Sequence, residues 1–327
     1  MDAIALVEAA YRMDDTMDVW LNGIVQHATK VFQADGGSGC AGMVIDATLT
    51  TDTSAHLKAR RLEGPWEDAQ AAFSEILSLG IQPATVERIR SAGPVSTLSA
   101  ALGDSFAGGS GMRECLHKYA LGDAGHVVAG DPLRVSCILA TSFSRPHTFQ
   151  AERLHAWQLM GAHVAAGLRL RVQGSEAQPE AVLDLDGNLQ HAVGDASVAE
   201  QRERLRSAVR DLVRARGSIR RTDPMEALSL WQALVAGRWS LIDRVDSDGR
   251  RFLVACRNEP HERAHRALTH RQAQVATLVG LGHANKVVAY ELGVSMSAVS
   301  THLRRAMSKL GVTSRSELVE LFVRTVP

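Results

Sequence analysis

The sequence predicts an α+β fold in three parts that ends in an all-α domain. Short apolar strands and longer helical patterns alternate over residues 1–173, and two hairpins with Asp-Gly turns flank helical patterns over 174–262. Residues 263–327 show helical periodicity alone. The length of 327 residues allows two or three domains, and 45% hydrophobic with 22% charged residues is ordinary for a globular protein.

Helices at both ends and strands between them are predicted for residues 1–173. Two apolar helical stripes lie within 2–34, and Asp14-Asp15-Thr16 between them breaks one helix or caps a second. The remaining predicted elements are a strand at Ala41–Leu49, helices at 66–79, 83–92 and Arg113–Tyr119, a glycine-rich loop at 103–111, and strands at His126–Ala129 and Arg134–Phe143 around a Gly130-Asp-Pro turn.

An amphipathic helix is predicted to close this part at residues 148–171. Its apolar face consists of Leu154, Trp157, Gly161, Val164, Ala165 and Leu168. In element order and in this closing helix, residues 1–173 resemble the GAF family of sensor domains. The resemblance implies an antiparallel sheet, with the first and last helices packed on one side and a ligand pocket on the other. The expected input is a small-molecule ligand or a protein partner.

Residues 174–262 predict a small α+β unit that begins with a polar linker, Gly174–Pro179. The predicted elements are a hairpin at 181–191 with its turn at Asp186-Gly187, helices at 198–215 and 224–236, and a second hairpin formed by Trp239–Val245 and Arg251–Ala255 around Asp248-Gly249. Two hairpins around two helices resemble a reduced PAS-like unit. The polar residues Asn258–Arg266 predict a linker into the last domain.

The C-terminal residues predict short helices separated by glycine turns. Thr269 and Gln272 have the spacing of a capping box, Gly282 and Gly293 mark turns on either side of a helix at Asn285–Leu292, and Ser295 caps the next helix. In that helix, a buried stripe is predicted for Val299, Leu303, Ala306 and Leu310, and an outer polar face for Ser297, Ser300, Thr301, Arg304 and Ser308. A second capping box at Ser314–Glu317 opens a last helix.

A short helix, a glycine turn and a helix with a polar face predict a helix-turn-helix whose second helix enters the major groove of DNA. Lys286, Arg305 and Lys309 are expected to contact phosphates. Arg304 is the strongest candidate for base contact, since arginine bonds guanine at two points, and Thr301 is expected to assist it.

The same segment resembles the LuxR-type DNA-binding domain. The matching residues are Leu268-Thr269 with Arg271, Gly282 with Asn285-Lys286, Ser295 with Val299 and His302, and Lys309–Val312. The resemblance implies that Thr269, Arg271 and Asn285 belong to the DNA-binding surface. It also implies a homodimer that pairs through the last helix, where Leu318, Leu321 and Phe322 are the candidate contacts.

Four positions depart from the family pattern. The family commonly has lysine at Ser300 and threonine at Ala298, and often serine at Ala284 and glutamate at Gln272. A missing lysine removes one cation from the groove. Binding is therefore expected to be weaker or less dependent on salt, by about one phosphate contact if that lysine would have met a phosphate.

Charge and composition limit the other functions. Residues 259–327 hold 9 Lys and Arg against 5 Asp and Glu, whereas residues 1–173 hold 14 against 18, so the positive excess lies where DNA would bind. The four cysteines form no CxxC pair, and neither a secretory signal peptide nor a membrane span is expected. These observations predict a cytoplasmic protein without a cofactor.

Other motifs have weaker interpretations. The glycines at 37, 39 and 42 fit a dinucleotide fingerprint but precede a strand instead of following one. A metal or haem site at Cys115, His117, His126 and Cys137 is less favoured than ordinary packing, and the arginines at 202, 206, 210 and 214 predict a solvated helix face. No catalytic constellation is recognisable, so an enzyme is not expected. An enzyme with an unrecognised N-terminal site and a signalling adaptor remain the alternatives.

Overall fold

The structure is a computed structural model that describes residues 2–46, 58–60, 75, 88–89, 92–103, 106, 111–130, 135–174, 179–260 and 268–324. Within these ranges, twelve α-helices and nine β-strands are present, and the strands form two separate sheets. The predicted α+β class is confirmed. No helix in the described part of the chain is long and apolar enough to cross a lipid bilayer.

The first sheet has five strands in the order β2-β1-β5-β4-β3, and each neighbouring pair is antiparallel. The strands are β1 (Ala41–Asp46), β2 (Lys58–Arg60), β3 (Val95–Thr97), β4 (Asp123–Gly130) and β5 (Val135–Phe143). β1, β4 and β5 confirm the predicted strands. The sequence pattern does not predict β2 and β3, because three residues are too few to show alternation.

Five helices belong to the same part of the chain. They are α1 (Ala3–Ala10), α2 (Met17–Ala34), α3 (Leu98–Leu102), α4 (Gly111–Lys118) and α5 (Ala151–Gln173). Thr16 caps α2 by accepting a hydrogen bond from the Val19 amide at 3.4 Å, so the break within 2–34 also starts a helix. The helices predicted at 66–79 and 83–92, the turn after Gly130 and the 103–111 loop lie almost entirely outside the described residues.

One face of the first sheet is covered by α2 and α5. Gly42 of β1 lies directly beneath Val25 of α2, and a Cβ at this position would overlap the valine side chain. Trp157 of α5 stacks on Phe32 of α2 with 3.9 Å between ring centroids, and its indole N–H donates to Asp35 at 2.8 Å. Helices α2 and α5 therefore pack against each other on the same face of this sheet.

The second sheet joins the two predicted hairpins in the order β7-β6-β9-β8. Its strands are β6 (Pro179–Asp184), β7 (Leu189–Ala192), β8 (Trp239–Val245) and β9 (Arg251–Arg257). Both hairpins are confirmed, and antiparallel pairing of β6 with β9, for example Val182 with Val254, connects them.

Three helices lie between the hairpins: α6 (Ala199–Arg216), α7 (Ile219–Thr222) and α8 (Pro224–Leu230). The predicted helix at 224–236 is too long. It ends at Leu230 because Trp231 adopts an extended conformation, with φ −83° and ψ 94°. Further on, Val235 forms a bridge with Trp239, and Ala236 and Gly237 adopt positive φ angles of 51° and 66°. A helix cannot continue through that conformation.

The arginines of α6 form ion pairs on an exposed helix face. Arg204 pairs with Glu200 at 2.8 Å, and Arg206 pairs with Glu203 at 3.5 Å. Arg214 pairs with a residue of α8, Glu226, at 2.7 Å. The predicted solvated face is confirmed for Arg206 and Arg214, two of the four arginines named in the prediction, and Arg204 lies exposed beside them.

Four helices complete the chain: α9 (His270–Gly280), α10 (Asn285–Glu291), α11 (Met296–Leu310) and α12 (Arg315–Arg324). Their buried apolar side chains form a core between Val275 and Phe322. A separate and larger core runs through the first two parts of the chain, from Ala3 to Cys256.

Helix α5 corrects the sequence analysis, because it is not amphipathic. Residues 159–168 are all buried, since the helix packs on β4 and β5, on α1, and on α8 and α10. Gly161 faces Val127, and Gly167 lies so close to the Ala10 carbonyl that a Cβ would overlap it. Small residues in α5 thus allow contact on several sides.

Two of the three buried histidines in the described residues, His126 and His163, have strongly lowered pKa values. Burial lowers the pKa of His163 to about 3. A hydrogen bond to the Trp231 carbonyl raises this pKa, but the effect of burial is larger. Burial also lowers the pKa of His126 to about 4, and the Nε2 atom of His126 has no hydrogen-bond partner among the described residues. Burial therefore disfavours the protonated, charged form of both imidazoles.

We expect acidification below the ordinary histidine pKa to destabilise the fold. The unfolded chain binds protons at these imidazoles in a window where the folded chain does not, so the free energy of unfolding falls as pH falls from the ordinary value towards about 4 for His126 and about 3 for His163. Each histidine contributes a slope of up to about 1.4 kcal/mol per pH unit. Urea unfolding followed by tryptophan fluorescence measures this effect.

His126→Leu should reduce the pH dependence, because it removes one of the two imidazoles without removing a hydrogen bond of Nε2. His191→Gln, at an exposed histidine, is the control. An unchanged slope in His126→Leu would contradict the assignment of His126.

Candidate nucleic-acid interface

The ends of the C-terminal helices are set by local signals, as predicted. Both hydrogen bonds of the Thr269–Gln272 capping box form, at 3.4 and 3.1 Å. Gly282, Gly293 and Gly311 have positive φ angles of 89°, 58° and 70° at the three following turns. The turn between α10 and α11 therefore needs a residue without a Cβ.

The other C-terminal helices differ in whether a side chain caps their first turn. Ser295 caps α11 by accepting from the Ala298 amide at 3.2 Å, but Ala284 at the start of α10 provides no side-chain cap. The second predicted capping box forms only in part. Ser314 accepts from the Glu317 amide at 3.1 Å, whereas the Glu317 carboxylate turns to the amide of Thr313 at 2.7 Å.

Helix α11 has one buried stripe and one exposed polar face. The buried side chains Val299, Leu303 and Ala306 confirm the predicted stripe, and Leu310 is half-buried beside them. On the opposite face, the exposed residues are Ser297, Ser300, Arg304, Arg305 and Ser308, and Thr301 is half-buried. A single helix surface therefore presents hydroxyls and guanidinium groups to solvent.

Ser300 and Arg304 differ in what they offer a ligand. The Ser300 hydroxyl donates to the Met296 carbonyl of its own helix at 3.0 Å, so its hydrogen is already used. Arg304 is exposed and makes no hydrogen bond or ion pair with the described residues. Arg305 on this face is likewise exposed and makes no hydrogen bond or ion pair with the described residues, so both arginines have donors available.

Other predicted DNA contacts are occupied within the C-terminal domain. The Lys309 ammonium donates to Gln272 Oε1 at 2.9 Å, and Asn285 Oδ1 accepts from Arg315 at 3.0 Å. The Thr269 hydroxyl caps α9. A role in DNA binding requires Lys309 and Asn285 to exchange or share these partners.

Arg271 and Lys286 point towards the preceding parts of the chain. Arg271 donates to the Ala236 carbonyl and to Gln274, each at 2.8 Å. Lys286 lines an open cleft of about 680 Å³. The charged and polar residues of that cleft are Glu152, His155, Gln158, Asp223, Glu226, Ser229 and Lys286.

Two further contacts were not predicted from the sequence. Arg315, at the start of α12, donates to Asn285 and to the His283 carbonyl, and so connects α12 to the α10 region. His302 is half-buried, and its Nδ1 has no hydrogen-bond partner in the part of the chain that the structure describes. Burial lowers the pKa of His302, and the neighbouring Arg271 and Arg305 lower it further. The sequence offered one indication of the Arg315 contacts, because Arg315 lies inside the predicted capping box at Ser314–Glu317.

Two of the three predicted dimer residues on the last helix are buried in their own domain. Leu318 is 0% exposed and Phe322 is 7% exposed, because both fill the core of their own domain. A Cβ at Gly280 would come within 2.6 Å of the Phe322 ring, so the packing there is tight. Leu321 is half-buried. Leu318 and Phe322 are therefore not available to a second copy.

Tyr290 of α10 enters a polar cluster formed by the preceding parts of the chain. Its hydroxyl lies 2.7 Å from His163 Nε2 and donates to the Leu228 carbonyl at 2.8 Å. Tyr11 contacts the other nitrogen of His163, Nδ1, at 2.9 Å. Burial raises the pKa of both tyrosines, so both keep their hydrogen at neutral pH.

The weaker sequence motifs have structural explanations. His126 pairs with Ala140 and Cys137 with Ala129, which puts His126 and Cys137 on opposite faces of the sheet. They cannot share a metal ion there. The glycines from 37 to 42 join α2 to β1, in the order that the sequence analysis judged unsuitable for a dinucleotide.

Comparison with known proteins identifies the C-terminal domain. Residues 266–322 match the family described as GerE, bacterial regulatory proteins of the luxR family. A monoamine regulon transcriptional regulator from Klebsiella aerogenes is 40% identical over 52 residues, which are 16% of this chain and 23% of that protein. The chain thus spans about a quarter of the length of the curated relative that it matches.

Solved structures of SdiA share only a distant likeness with the chain. A crystal structure of Escherichia coli SdiA covers 97% of this chain and 93% of its own, with 9% identity and a TM-score of 0.36. SdiA in complex with octanoyl-rac-glycerol covers 97% and 91%, with 11% identity and a TM-score of 0.32. TM-scores this low do not establish a common arrangement.

We expect Ala284→Ser to stabilise α10. A serine hydroxyl at this position supplies the missing cap, and such caps contribute about 1 kcal/mol. Slower amide hydrogen exchange across α10 is the expected result. Thr269→Ala is the reverse variant and should speed exchange at the start of α9 by a similar free energy. Equal exchange in Ala284→Ser and the unmodified chain would contradict this prediction.

Proposed function

We propose that the chain, whose C-terminal residues form a LuxR-family helix-turn-helix domain, is a sequence-specific DNA-binding regulator of transcription. The exposed face of α11 carries the proposal, because it displays Ser297, Ser300 and Arg304 on the helix that follows the glycine turn. A helix of this width fits the major groove with its N-terminal half against base edges. Arg304 is proposed to contact guanine, and Thr301 an adjacent base edge.

Phosphate contacts are proposed for the cations around this face. Arg305 is exposed next to Arg304, and Lys309 lies near the end of the same helix. Arg271 on α9 and Lys286 on α10 are also proposed to contact phosphates, which requires them to leave the Ala236 carbonyl and the cleft, respectively. Thr269 and Asn285 are at the helix starts. The positive excess of residues 259–327 supports this assignment. These contacts would position the helix, and base contacts would provide specificity.

Binding as a homodimer is proposed by analogy with palindromic recognition, in which two helices occupy half-sites about one helical turn apart. Pairing through α12 would have to use side chains other than Leu318 and Phe322, which are internal. Leu321, at the edge of the core, remains a candidate contact.

The preceding parts are proposed to receive the signal in the cytoplasm. The five-stranded sheet with helices on one face supports a GAF-like sensor at 1–173, and the paired hairpins support a PAS-like unit at 174–262. A small molecule or a protein partner would act on the sensor. The proposed DNA-binding domain is 263–327.

The adaptor hypothesis makes a different prediction for salt. A DNA-binding domain that releases counterions loses affinity steeply as salt rises, whereas an adaptor shows no DNA binding at low salt. Gel shifts against genomic fragments over a range of salt concentrations distinguish the two, and sequencing the retained fragments gives the operator.

We expect Arg304→Ala to lose discrimination between operator and random DNA. A two-point contact to guanine contributes about 1–3 kcal/mol of specificity. Footprinting and competition with random DNA measure the loss. Arg305→Ala is the matched control, and should weaken binding to all sequences equally and reduce the salt slope by about 1. An unchanged footprint in Arg304→Ala would remove Arg304 from the proposed base contacts.

Ser300→Lys should tighten DNA binding and steepen its salt dependence. The substitution adds one cation to the exposed face and removes only the hydrogen bond to Met296. An increase in the salt slope of about 1 is expected if the new ammonium meets a phosphate. Ser316→Lys adds the same charge at an exposed position on α12 and is the control. If both variants behave alike, the effect is one of net charge only.

A further inference from the structure

Lys309, near the end of α11, is an exposed lysine whose position is fixed by a neutral partner. Its ammonium donates to Gln272 Oε1 at 2.9 Å and forms no ion pair with the described residues. The other arginines of the domain differ from it. Arg304 and Arg305 have no partner in the described part of the chain, whereas Arg271 is half-buried and donates to the Ala236 carbonyl. Lys309 therefore combines an exposed charge with a defined position.

Gln272 is itself held in place by the start of α9. It is 5% exposed, and its Oε1 atom also accepts a hydrogen bond from the Thr269 amide at 3.1 Å, as part of the capping box. An amide oxygen has two lone pairs, so the Thr269 amide and the Lys309 ammonium together saturate it. The start of α9 and the end of α11 thus meet at one oxygen atom.

The Gln272 side chain leaves the charge of Lys309 uncompensated. An ammonium has three N–H donors, so two of them are without a partner among the described residues. A carboxylate in the same place would form an ion pair with Lys309, and a pair without net charge would release no counterion from DNA. The hydrogen bond also restricts a flexible four-carbon side chain in advance, which lowers the entropy cost of binding a ligand.

We propose that Gln272 is a positioning residue for DNA binding, which directs the Lys309 ammonium to one phosphate of the DNA backbone without neutralising it. The ammonium keeps its bond to Gln272 and donates a second N–H to the phosphate. This inference rests on the proposed DNA-binding function. It differs from a role in folding alone, because a hydrogen bond that only stabilises the fold does not change the number of counterions that DNA releases.

The first test is Gln272→Glu in the full chain, since a carboxylate has nearly the same size and can accept both hydrogen bonds. The probe is a fluorescent duplex of random sequence, titrated over a range of salt concentrations. Binding should weaken at low salt, and the slope of log affinity against log salt should fall by about 1, as for the loss of one phosphate contact. Urea unfolding should show no loss of stability, because an ion pair replaces the hydrogen bond to Lys309.

A second variant, Lys309→Gln, shows whether the effect passes through the lysine. It should itself lower the salt slope by about 1. Adding Gln272→Glu to this variant should change the slope little further, because the cation that the carboxylate would neutralise is absent. Ser316→Glu adds a negative charge at an exposed position on α12 and is the control for net charge, so it should leave the slope unchanged.

Gln272→Met tests the positioning separately from the charge. The thioether keeps much of the side-chain volume but offers Lys309 only a weak acceptor. The lysine can still reach a phosphate, so the salt slope should equal that of the unmodified chain while the affinity falls at every salt concentration. Urea unfolding of the same sample shows that the domain is folded where affinity is measured.

The outcomes separate this inference from the proposed function. If the unmodified chain binds DNA but the slope does not fall in Gln272→Glu, or falls equally in Ser316→Glu, only the inference is overturned. The same holds if Gln272→Glu lowers the slope by the same amount with and without Lys309, or if Gln272→Met binds as tightly as the unmodified chain. If the unmodified chain binds no DNA at low salt, the proposed function fails and the inference fails with it.

Discussion

The burial of α5 on all sides is the constraint on which the rest of the structure depends. Residues 159–168 are fully enclosed, so one helix must complement a sheet, α1, α8 and α10 at once. Glycine and alanine at half of these positions allow the neighbours to approach, as Gly167 does with Ala10. His163 is the polar exception, and the fold provides a partner for each of its ring nitrogens. A cluster with so little spare space transmits a displacement at any one neighbour to the others.

The sequence was most informative where structure is determined locally. The Thr269–Gln272 cap, the glycine turns of the C-terminal domain and both Asp-Gly hairpins depend on neighbouring residues, and all were predicted. The buried α5 was misjudged because its sequence of small and apolar residues has no polar stripe to mark what packs on each side. The ends of α8 and the internal positions of Leu318 and Phe322 likewise depend on tertiary contacts that periodicity does not contain.

In the candidate site, too, some features could be predicted from the sequence and others could not. The outward direction of Ser297, Ser300 and Arg304 follows from helical spacing and needed no structure. The partners of Arg271 and Lys309 could not be predicted, since an arginine or lysine bonds whichever carbonyl or amide oxygen the fold brings near. The number of lysines and arginines in the C-terminal domain is therefore only an upper limit on the number of cations that can contact DNA. Some of these cations, such as Arg271 and Lys309, already donate to acceptors within the chain.

The separate core of the C-terminal domain also has a consequence for the order of folding. Its contacts join helices close together in the chain, whereas the first sheet requires Ala41 to meet Ala140. Local contacts form faster than distant ones. The four helices can thus assemble independently of the sheet, and α10 can dock only once Tyr11, His163 and Trp231 have come together. The contact of α10 with α5 therefore requires both cores to be in place, so it depends on the folding of the whole chain.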